Sequence, residues 1–314
     1  MASRLHAHIG TFRQLEILLA LYEGGSVKAA AETLFLTQPT VSMQLKKLSE
    51  AIGFPLYQQV GRKLKFTDAG IATVQTARQV LQSCEELDMR LSNLRGLTSG
   101  TLRLACATTA KYFIPHLLGP FCERYPGIDI QFTVANRQQV IERFEQGLDD
   151  FYVFSHLPQG LAIEVREFMP NDLVAIAPAA HPLTKQKKVS LEEFCQAGFL
   201  IREQGSGTRF ATETFFKEHD IQPNIKMTIA SNEAIIHSVL SGLGVSILSA
   251  HTLAFGEIYG VKVVNVESLP IKTKWSFSWL KGQTLSPIAQ VFLEYVETEG
   301  QAMMHQALKT KQLG

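Results

Sequence analysis

Along the first seventy positions apolar residues recur with the period of short amphipathic helices, and capping residues or glycines break the pattern. Leu15, Leu18, Leu19 and Tyr22 share a face of a helix that stops at Gly24-Gly25. Ser26 is placed to cap a second helix over VKAAAETL, whose Ala29, Ala30 and Ala31 permit close packing. Phe35-Leu36 predicts a short turn, and Thr37 caps a third helix with Pro39 in its first turn, where a missing N–H costs nothing. In that helix Val41, Leu45, Leu48 and Ile52 form one apolar stripe, while Gln38, Thr40, Ser42 and Gln44 lie opposite, with Lys46 and Lys47 behind them. After Gly53-Phe54-Pro55, the stretch LYQQVGRKLKFT predicts a β-hairpin with Gly61-Arg62-Lys63 at its tip.

The period then lengthens. Thr67 caps a helix predicted from Asp68 to about Arg95, in which Thr73, Ala77, Val80, Cys84, Leu87, Leu91 and Leu94 alternate spacings of four and three. A seam of that kind favours a two-helix coiled coil over a packed surface helix, because few apolar residues lie off it. LTSG (97–100) reads as a hinge.

Beyond the hinge, short strands alternate with helical segments, which predicts an α/β body with mainly parallel sheets. Strands are expected at Thr101–Ala107, Asp129–Ala135, Phe151–Phe154, Leu173–Ala177, Phe199–Ile201, Ile225–Ile229, Val245–Leu248 and Lys274–Leu280. Helices are expected at Tyr112–Tyr125 and Gln138–Gln146. Two such sheets imply two Rossmann-like subdomains with a ligand cleft between them. The expected layout is a head over 1–66, a linker helix over 67–96 and a body over 97–314. Within the body, one subdomain would take about 101–170 and 270–300, the other about 171–269.

Composition adds bounds. The chain has 314 residues, 46% hydrophobic and 19% charged, with a net charge of +1. Residues 1–70 hold eight bases and five acids and the rest 22 bases and 24 acids, a slightly basic head on a slightly acidic body. No uncharged apolar run approaches the roughly 18 residues of a membrane span, and MASRLHAHIG lacks a leader pattern, so the cytoplasm is the expected compartment. Cys84, Cys106, Cys122 and Cys195 are scattered without a metal-type pairing and are expected to be buried free thiols.

Two regions carry candidate chemistry. Short hydroxyl and amide groups near the start of the third helix suit base-edge readout in a major groove, and the following lysines suit phosphates. For the helix alone, simple solvation explains the polar face as well. A basic hairpin tip immediately afterwards, in the position of a wing, turns the balance towards DNA. In the body, FLIREQGSGTR runs from a strand through a glycine-rich turn into a helix, offering free N–H groups, the Ser206 and Thr208 hydroxyls and Arg209 to a carboxylate or phosphate. A flexible turn followed by a surface arginine is the alternative. Thr108, Thr109 and Lys111, Asn136-Arg137 and Asn232 lie at other strand ends and could complete the site, though each would serve equally as a helix cap.

The run from Phe12 to Gly70, with AAAETL, TQPTVS-x-Q, Gly53, Leu56 and TDAG, resembles the winged helix-turn-helix of LysR-type transcriptional regulators. The resemblance implies that Gln38, Pro39, Thr40, Ser42 and Gln44 lie at the DNA, with Arg62 on the wing, and Thr37 and Lys46 beside them complete the expected DNA-contacting set. Met43 and Ser49 depart from the commoner family residues. The linker helix matches the family's dimerisation helix, and the body resembles its periplasmic-binding-protein-like effector domain. REQGSGTR and SNEAIIHSVLSGLGVSILS are similar to the branch controlling carbon-fixation and inorganic-carbon-uptake genes in autotrophic bacteria and cyanobacteria. That implies promoter DNA as partner, a homodimer or homotetramer, no cofactor, and an anionic co-effector such as 2-oxoglutarate, 2-phosphoglycolate or ribulose bisphosphate. The effector contacts expected from the strand ends and the glycine-rich loop are Thr108, Thr109, Lys111, Asn136, Arg137, Gln204, Ser206, Gly207, Thr208, Arg209 and Asn232. LDDFYVFSHLP departs from the family pattern at Asp150 and Tyr152.

The rival classes explain less. Gly205-Ser206-Gly207 lacks the spacing of a nucleophile elbow, Gly242-Leu-Gly244 precedes a strand rather than following one, and no histidine set has metal-ligand spacing. An enzyme or solute-binding α/β protein with a structural helical head leaves the polar recognition face unexplained, and a DNA packager leaves the body unexplained. The expectation is a DNA-binding regulator that is not an enzyme.

Overall fold

The computed structural model describes residues 11–60, 63–94, 100–255, 260–304 and 306. The chain divides into two compact units, Met1–Leu94 and Arg95–Gly314, each taken by itself below.

In the first unit, Thr11 and Gln14 form a reciprocal capping box at the start of α1 (Phe12–Gly24), and Gly25 ends that helix with a left-handed φ of 66°. Ser26 caps α2 (Val27–Thr33), and Thr37 caps α3 (Gln38–Ile52). Leu15, Leu18, Leu21, Ala30, Val41, Leu45 and Leu48 make one core between the three helices. The stripe predicted for α3 is thus buried except at its last turn, where Ile52 is only partly covered. The antiparallel hairpin β1 (Tyr57–Val60) and β2 (Lys63–Phe66) follows in the predicted place. Gly61 and Arg62, at its tip, lie outside the described residues. Gly70 admits no other residue without rearrangement, since a Cβ there would lie 1.8 Å from the Leu56 carbonyl oxygen.

Helix α4 (Asp68–Leu94) divides its seam between two environments. Ala77 is fully buried and Val80 partly buried against the core of the same head, joined by Val74 and Leu81. Further on, Cys84 is exposed, Leu87 is 57% exposed and Leu91 is 45% exposed. The expectation of a buried thiol therefore fails at Cys84, whose position on the helix lies past the end of the head's core. Cys106 and Cys195 are buried as expected, and burial pushes the Cys195 thiol up to about 12.

The second unit is built on β3 (Gly100–Ala107), α5 (Ile114–Arg124), β4 (Ile128–Ala135), α6 (Arg137–Glu145), β5 (Phe151–Phe154) and β6 (Ile163–Pro178). After these come α7 (Leu191–Gln196), β7 (Phe199–Arg202), α8 (Gly207–Glu218), β8 (Ile225–Ile229), α9 (Asn232–Leu240) and β9 (Ser246–Ser249). Helix α10 (Ala250–Phe255), β10 (Val261–Val263), β11 (Ile271–Leu280) and α11 (Pro287–Tyr295) complete it. The main sheet has the order β10-β6-β11-β5-β3-β4, with β9 also on β6. Strands β3, β4 and β5 run parallel, but β11 is antiparallel to β5 and β6, and β9 and β10 are antiparallel to β6.

The main sheet is therefore mixed and not mainly parallel, while the small β7–β8 sheet is parallel as expected. The two strands expected at 173–177 and 274–280 are parts of longer ones, 16 and 10 residues, that pair with each other along their length. Polar Asn171-Asp172 and Pro170 interrupt the apolar pattern of the first of these. The backbone nevertheless stays extended, because β11 offers ladder partners on both sides of the break and a bulge at Trp275/Ser276 absorbs the irregularity.

One lobe packs Phe113, Phe121, Phe151, Phe277 and Phe292 under the first half of the sheet. The other buries Leu173, Phe194, Phe199, Ile201, Phe215 and Phe216 beneath the parallel pair β7–β8, and the β6–β11 ladder reaches both lobes. The helix expected to begin at Tyr112 starts at Ile114, after a 3-10 segment over Thr108–Tyr112.

Asp150 and Tyr152 find structural uses. Asp150 Oδ2 accepts the Arg103 backbone N–H at 2.7 Å, and the buried Tyr152 hydroxyl accepts the Asp149 N–H at 2.7 Å while donating to the Arg143 carbonyl at 3.2 Å. Burial pushes that phenol further up, in keeping with its role as a neutral bridge.

The exposed half of the α4 seam makes a direct prediction. Leu87→Lys should leave the fold of the head within about 0.5 kcal/mol of wild type, as for other exposed sites. It should sharply weaken self-association, measured by sedimentation at matched concentrations. Undiminished association would remove the seam from the interface.

Candidate functional site

Two sets of polar residues were expected to act, one in each unit. In the head, the α3 surface bears Gln38, Pro39 and Ser42 fully exposed and Thr40 half-buried. Thr37 is occupied as the cap: its hydroxyl accepts the Thr40 N–H at 3.4 Å and lies 2.8 Å from the Thr40 hydroxyl. Gln44 is half-buried, and its Oε1 accepts a hydrogen bond from Gln14 Nε2 at 2.9 Å. Lys46 is exposed and makes only a loose pair with Glu50 at 3.9 Å, so its charge is free to meet another anion. Lys47 is also exposed.

In the body a cleft opens where the ends of β3, β5 and β7 meet the starts of α6 and α8, over a floor supplied by the interiors of β6 and β11. Its walls are Ala107, Thr108, Thr109, Arg137, Ser155, Asn171, Arg202, Ser206, Gly207, Thr208 and Trp275, around about 280 Å³ of space that includes the open mouth. The expected Thr108, Thr109, Arg137, Ser206, Gly207 and Thr208 are thus brought together. Asn232 is fully buried just behind them, donating to Thr109 Oγ1 at 3.2 Å and accepting from Arg202.

Four expected residues take other places. Arg209 turns back along α8, with Nε on Glu213 at 2.7 Å and an Nη on the Arg202 carbonyl at 3.1 Å. Its position three residues into the helix favours an i,i+4 pair with Glu213 over a reach into the cleft. Lys111 pairs with Glu233 at 2.8 Å across the lobes. Asn136 is consumed as the cap of α6, in a capping box with Gln139. Gln204 is exposed on the turn that Gly205 permits with its φ of 81°.

Two cations dominate the cleft's electrostatics. Arg202 is 2% exposed, and Glu203 neutralises it through two contacts at 2.8 and 3.0 Å. Arg137 is held differently. Its Nε donates to the His156 carbonyl at 3.0 Å, an Nη to the Leu157 carbonyl at 3.3 Å, and its guanidinium lies 4.6 Å from the centre of the Phe210 ring. Among the described residues no carboxylate pairs with it, and burial pulls its pKa below the usual arginine value. The same burial, together with the Arg137 charge, lowers His156 to about 4, so that histidine is neutral near pH 7. The net character of the cleft is cationic, with hydroxyls and the first amides of α8 beside the charge.

The mouth is bridged near Glu233. Burial acts to raise its carboxyl, but hydrogen bonds from Lys111, Tyr112 and Ser231 outweigh that and hold it down at about 2. At the floor, Asn171 Nδ2 donates to Thr273 Oγ1 at 2.8 Å and Asn171 Oδ1 accepts from Ser249 at 2.6 Å. Trp275 Nε1 donates to the buried His251 at 3.3 Å, and burial lowers that histidine to about 4 as well. Arg202, Ser155, Asn171 and Trp275 were not anticipated from the sequence. An arginine closing the apolar strand FLI and an asparagine within a strand were the available signals.

A winged helix-turn-helix head and a two-lobed body with an anion-attracting cleft define a ligand-binding DNA-binding protein. Residues 12–71 match the family described as bacterial regulatory helix-turn-helix protein, lysR family, and residues 95–301 match the LysR substrate binding domain. The chain belongs to the LysR family of bacterial transcription regulators. It is 46% identical over 294 residues to the HTH-type transcriptional activator CmpR of Synechocystis sp., covering 93% of this chain and 97% of that protein. It is 37% identical over 290 residues to a RuBisCO operon transcriptional regulator of Acidithiobacillus ferrooxidans, covering 91% and 93%. The solved regulatory domain of Synechocystis CcmR in complex with 2-PG matches 63% of this chain and 96% of its own, at 38% identity and a TM-score of 0.61. Full-length CbnR complexed with its target DNA matches 92% and 99%, at 24% identity and a TM-score of 0.66, a likeness of fold. Among the described residues no helix is long and apolar enough to cross a membrane.

The buried His251 and the half-buried His156 generate a pH prediction. Each is neutral in the folded protein down to about pH 4, whereas the unfolded chain binds their protons from about 6.5 downward. The unfolded state therefore holds more protons in that window, and stability falls as pH drops from 6.5 towards 4. The slope is at most about 1.4 kcal/mol per pH unit for each histidine, an upper bound because His156 is only partly shielded from solvent. Denaturant melts at pH 7, 6 and 5 should show this loss, and it should shrink in the double variant His156→Gln, His251→Gln.

Proposed function

We propose that the protein is a transcription regulator of carbon-metabolism genes whose head binds promoter DNA and whose body binds a small anionic metabolite in the cleft between its lobes. The observation that carries the ligand half is Arg137, a cleft cation held by carbonyl groups and lacking a carboxylate partner among the described residues. A carboxylate or phosphate there would be met by Arg137 and Arg202, by the amides opening α8, and by the hydroxyls of Thr108, Thr109 and Ser206. The CcmR regulatory domain in complex with 2-PG supports 2-phosphoglycolate as the first compound to test. The names of the Synechocystis and Acidithiobacillus relatives support carbon acquisition as the regulated process.

On the DNA side, Gln38, Thr40, Ser42 and Gln44 read base edges while Lys46 and Lys47 contact phosphates. Two heads paired through Leu87 and Leu91 would meet two half-sites. Ligand binding would favour one arrangement of the lobes and so change how the paired heads engage DNA, a coupling of typically about 1–3 kcal/mol. The site of action is the cytoplasm, where the DNA is, and the cleft's role is binding rather than turnover.

The test is thermal unfolding of the full chain with 2-phosphoglycolate, 2-oxoglutarate and ribulose bisphosphate. The true effector at about 100 times its Kd adds roughly 2.7 kcal/mol, and Trp275 fluorescence should change with it. Arg137→Ala should abolish both effects; equal stabilisation of wild type and variant would place the ligand elsewhere. For DNA, Lys46→Ala should weaken binding to all sequences and reduce the slope of log affinity against log salt by about 1.

A further inference from the structure

Gln44 does not face the DNA with a free amide. The backbone N–H of Thr11 donates to Gln14 Oε1 at 3.0 Å, as half of the capping box that starts α1. A backbone N–H can only donate, so the Gln14 oxygen is committed to it and the Gln14 Nε2 is the atom left to turn towards α3. That nitrogen can only donate, so Gln44 must accept through Oε1, as it does at 2.9 Å. Gln44 Nε2 is left over, and among the described residues it has no partner. Two hydrogen bonds thus carry a polarity from the first helix cap to the recognition helix.

We propose that Gln14 is a specificity-determining residue: it fixes the orientation of the Gln44 amide, so that Gln44 presents N–H donors and not its oxygen to the major groove. The inference rests on α3 being the DNA-reading helix, as proposed above. In the groove, guanine displays only acceptors at O6 and N7, thymine an acceptor at O4, and cytosine only a donor at N4. Adenine shows an acceptor at N7 beside its N6 donor, so a donor-only Gln44 can meet guanine, thymine or, through a single bond, adenine, and it rejects cytosine. The two-bond contact of a glutamine with adenine N6 and N7 needs the side-chain oxygen, which Gln14 already holds. Gln14 is 8% exposed and lies behind α3, so it acts through Gln44 and not by touching a base.

The decisive variant is Gln14→Glu. A glutamate three residues beyond the cap still accepts the Thr11 N–H and suits the positive end of the helix, so α1 is retained. Its second oxygen has no proton to offer near pH 7. Gln44 must then reverse, donating Nε2 to Glu and turning Oε1 outward. At one operator position cytosine should pass from rejected to accepted, at the expense of guanine or thymine.

The experiment is selection from a randomised duplex library by the full chain, comparing wild type, Gln14→Glu and Gln44→Ala, with melting curves as the folding control. Expected is a reversal of about fivefold or more at a single base pair in Gln14→Glu, the low end of what one such contact discriminates. The same position should become indifferent in Gln44→Ala. A Gln14→Glu variant that folds and selects the wild-type sequence overturns the proposal, as does a Gln44→Ala variant with unchanged preferences. A wild-type chain that selects no sequence overturns the DNA-reading assignment of α3 itself, and the Gln14 proposal with it. A general fall in affinity, which an added negative charge would cause at every sequence alike, leaves preference unmoved and counts against it.

Discussion

The arrangement of the body depends on the antiparallel ladder between the long strands β6 and β11. Both are shared by the two lobes, so the lobes sit on one continuous piece of sheet. Near one end of the ladder Asn171 uses its side chain on Thr273 and Ser249, and its carbonyl accepts from the Thr273 hydroxyl at 2.7 Å. A buried amide of this kind is costly unless every group is met, and here each partner is supplied by a different segment. Asn171 and Trp275 also form the cleft floor, so a ligand resting there touches the segment through which the lobes are joined.

Charge is distributed with the same economy. Arg202, deep in the lobe of β7, has its own carboxylate in Glu203 and an amide in Asn232, and is neutralised within the fold. Arg137, from the other lobe, is oriented by carbonyls and an aromatic ring that fix its place without cancelling its charge. The first arrangement secures a buried cation; the second leaves one whose electrostatic demand is unmet. Because desolvated cations are expensive and gain most from an anion, the cleft's affinity for negative groups is concentrated on the Arg137 side.

Much of this was legible in the sequence. The head was readable because its helices carry local signals: Ser26 and Thr37 cap, Gly24-Gly25 terminates, and the α3 stripe keeps its period. The glycine-rich loop and the threonines after β3 were readable as strand-end residues, and they do converge. Arg209 and Lys111 were misplaced because a strand-end position says nothing of competing carboxylates, and Glu213 and Glu233 take them. The long strands were not legible, since Pro170 and Asn171-Asp172 break the apolar pattern and only ladder partners about a hundred residues away keep the backbone extended. Arg202 was hidden for a related reason: Glu203 beside it is visible in the sequence, but Asn232, which buries it at the cleft, lies 30 residues further on.

The bridges across the cleft decide how much a ligand can do. Thr109–Asn232 and Lys111–Glu233 join the lobes through the protein's own groups, so part of the closing free energy needs no anion. A ligand shifts an equilibrium only by its difference in affinity between the two arrangements, whatever its absolute affinity. That difference must come from groups whose separation changes as the lobes move, and Arg137 and Arg202 stand on opposite sides of the cleft. An anion would gain most from Arg137, because Glu203 already neutralises Arg202. Any such difference would therefore rest on how closely Arg137 can approach an anion held by the amides that open α8 and by the hydroxyls of Thr108 and Ser206.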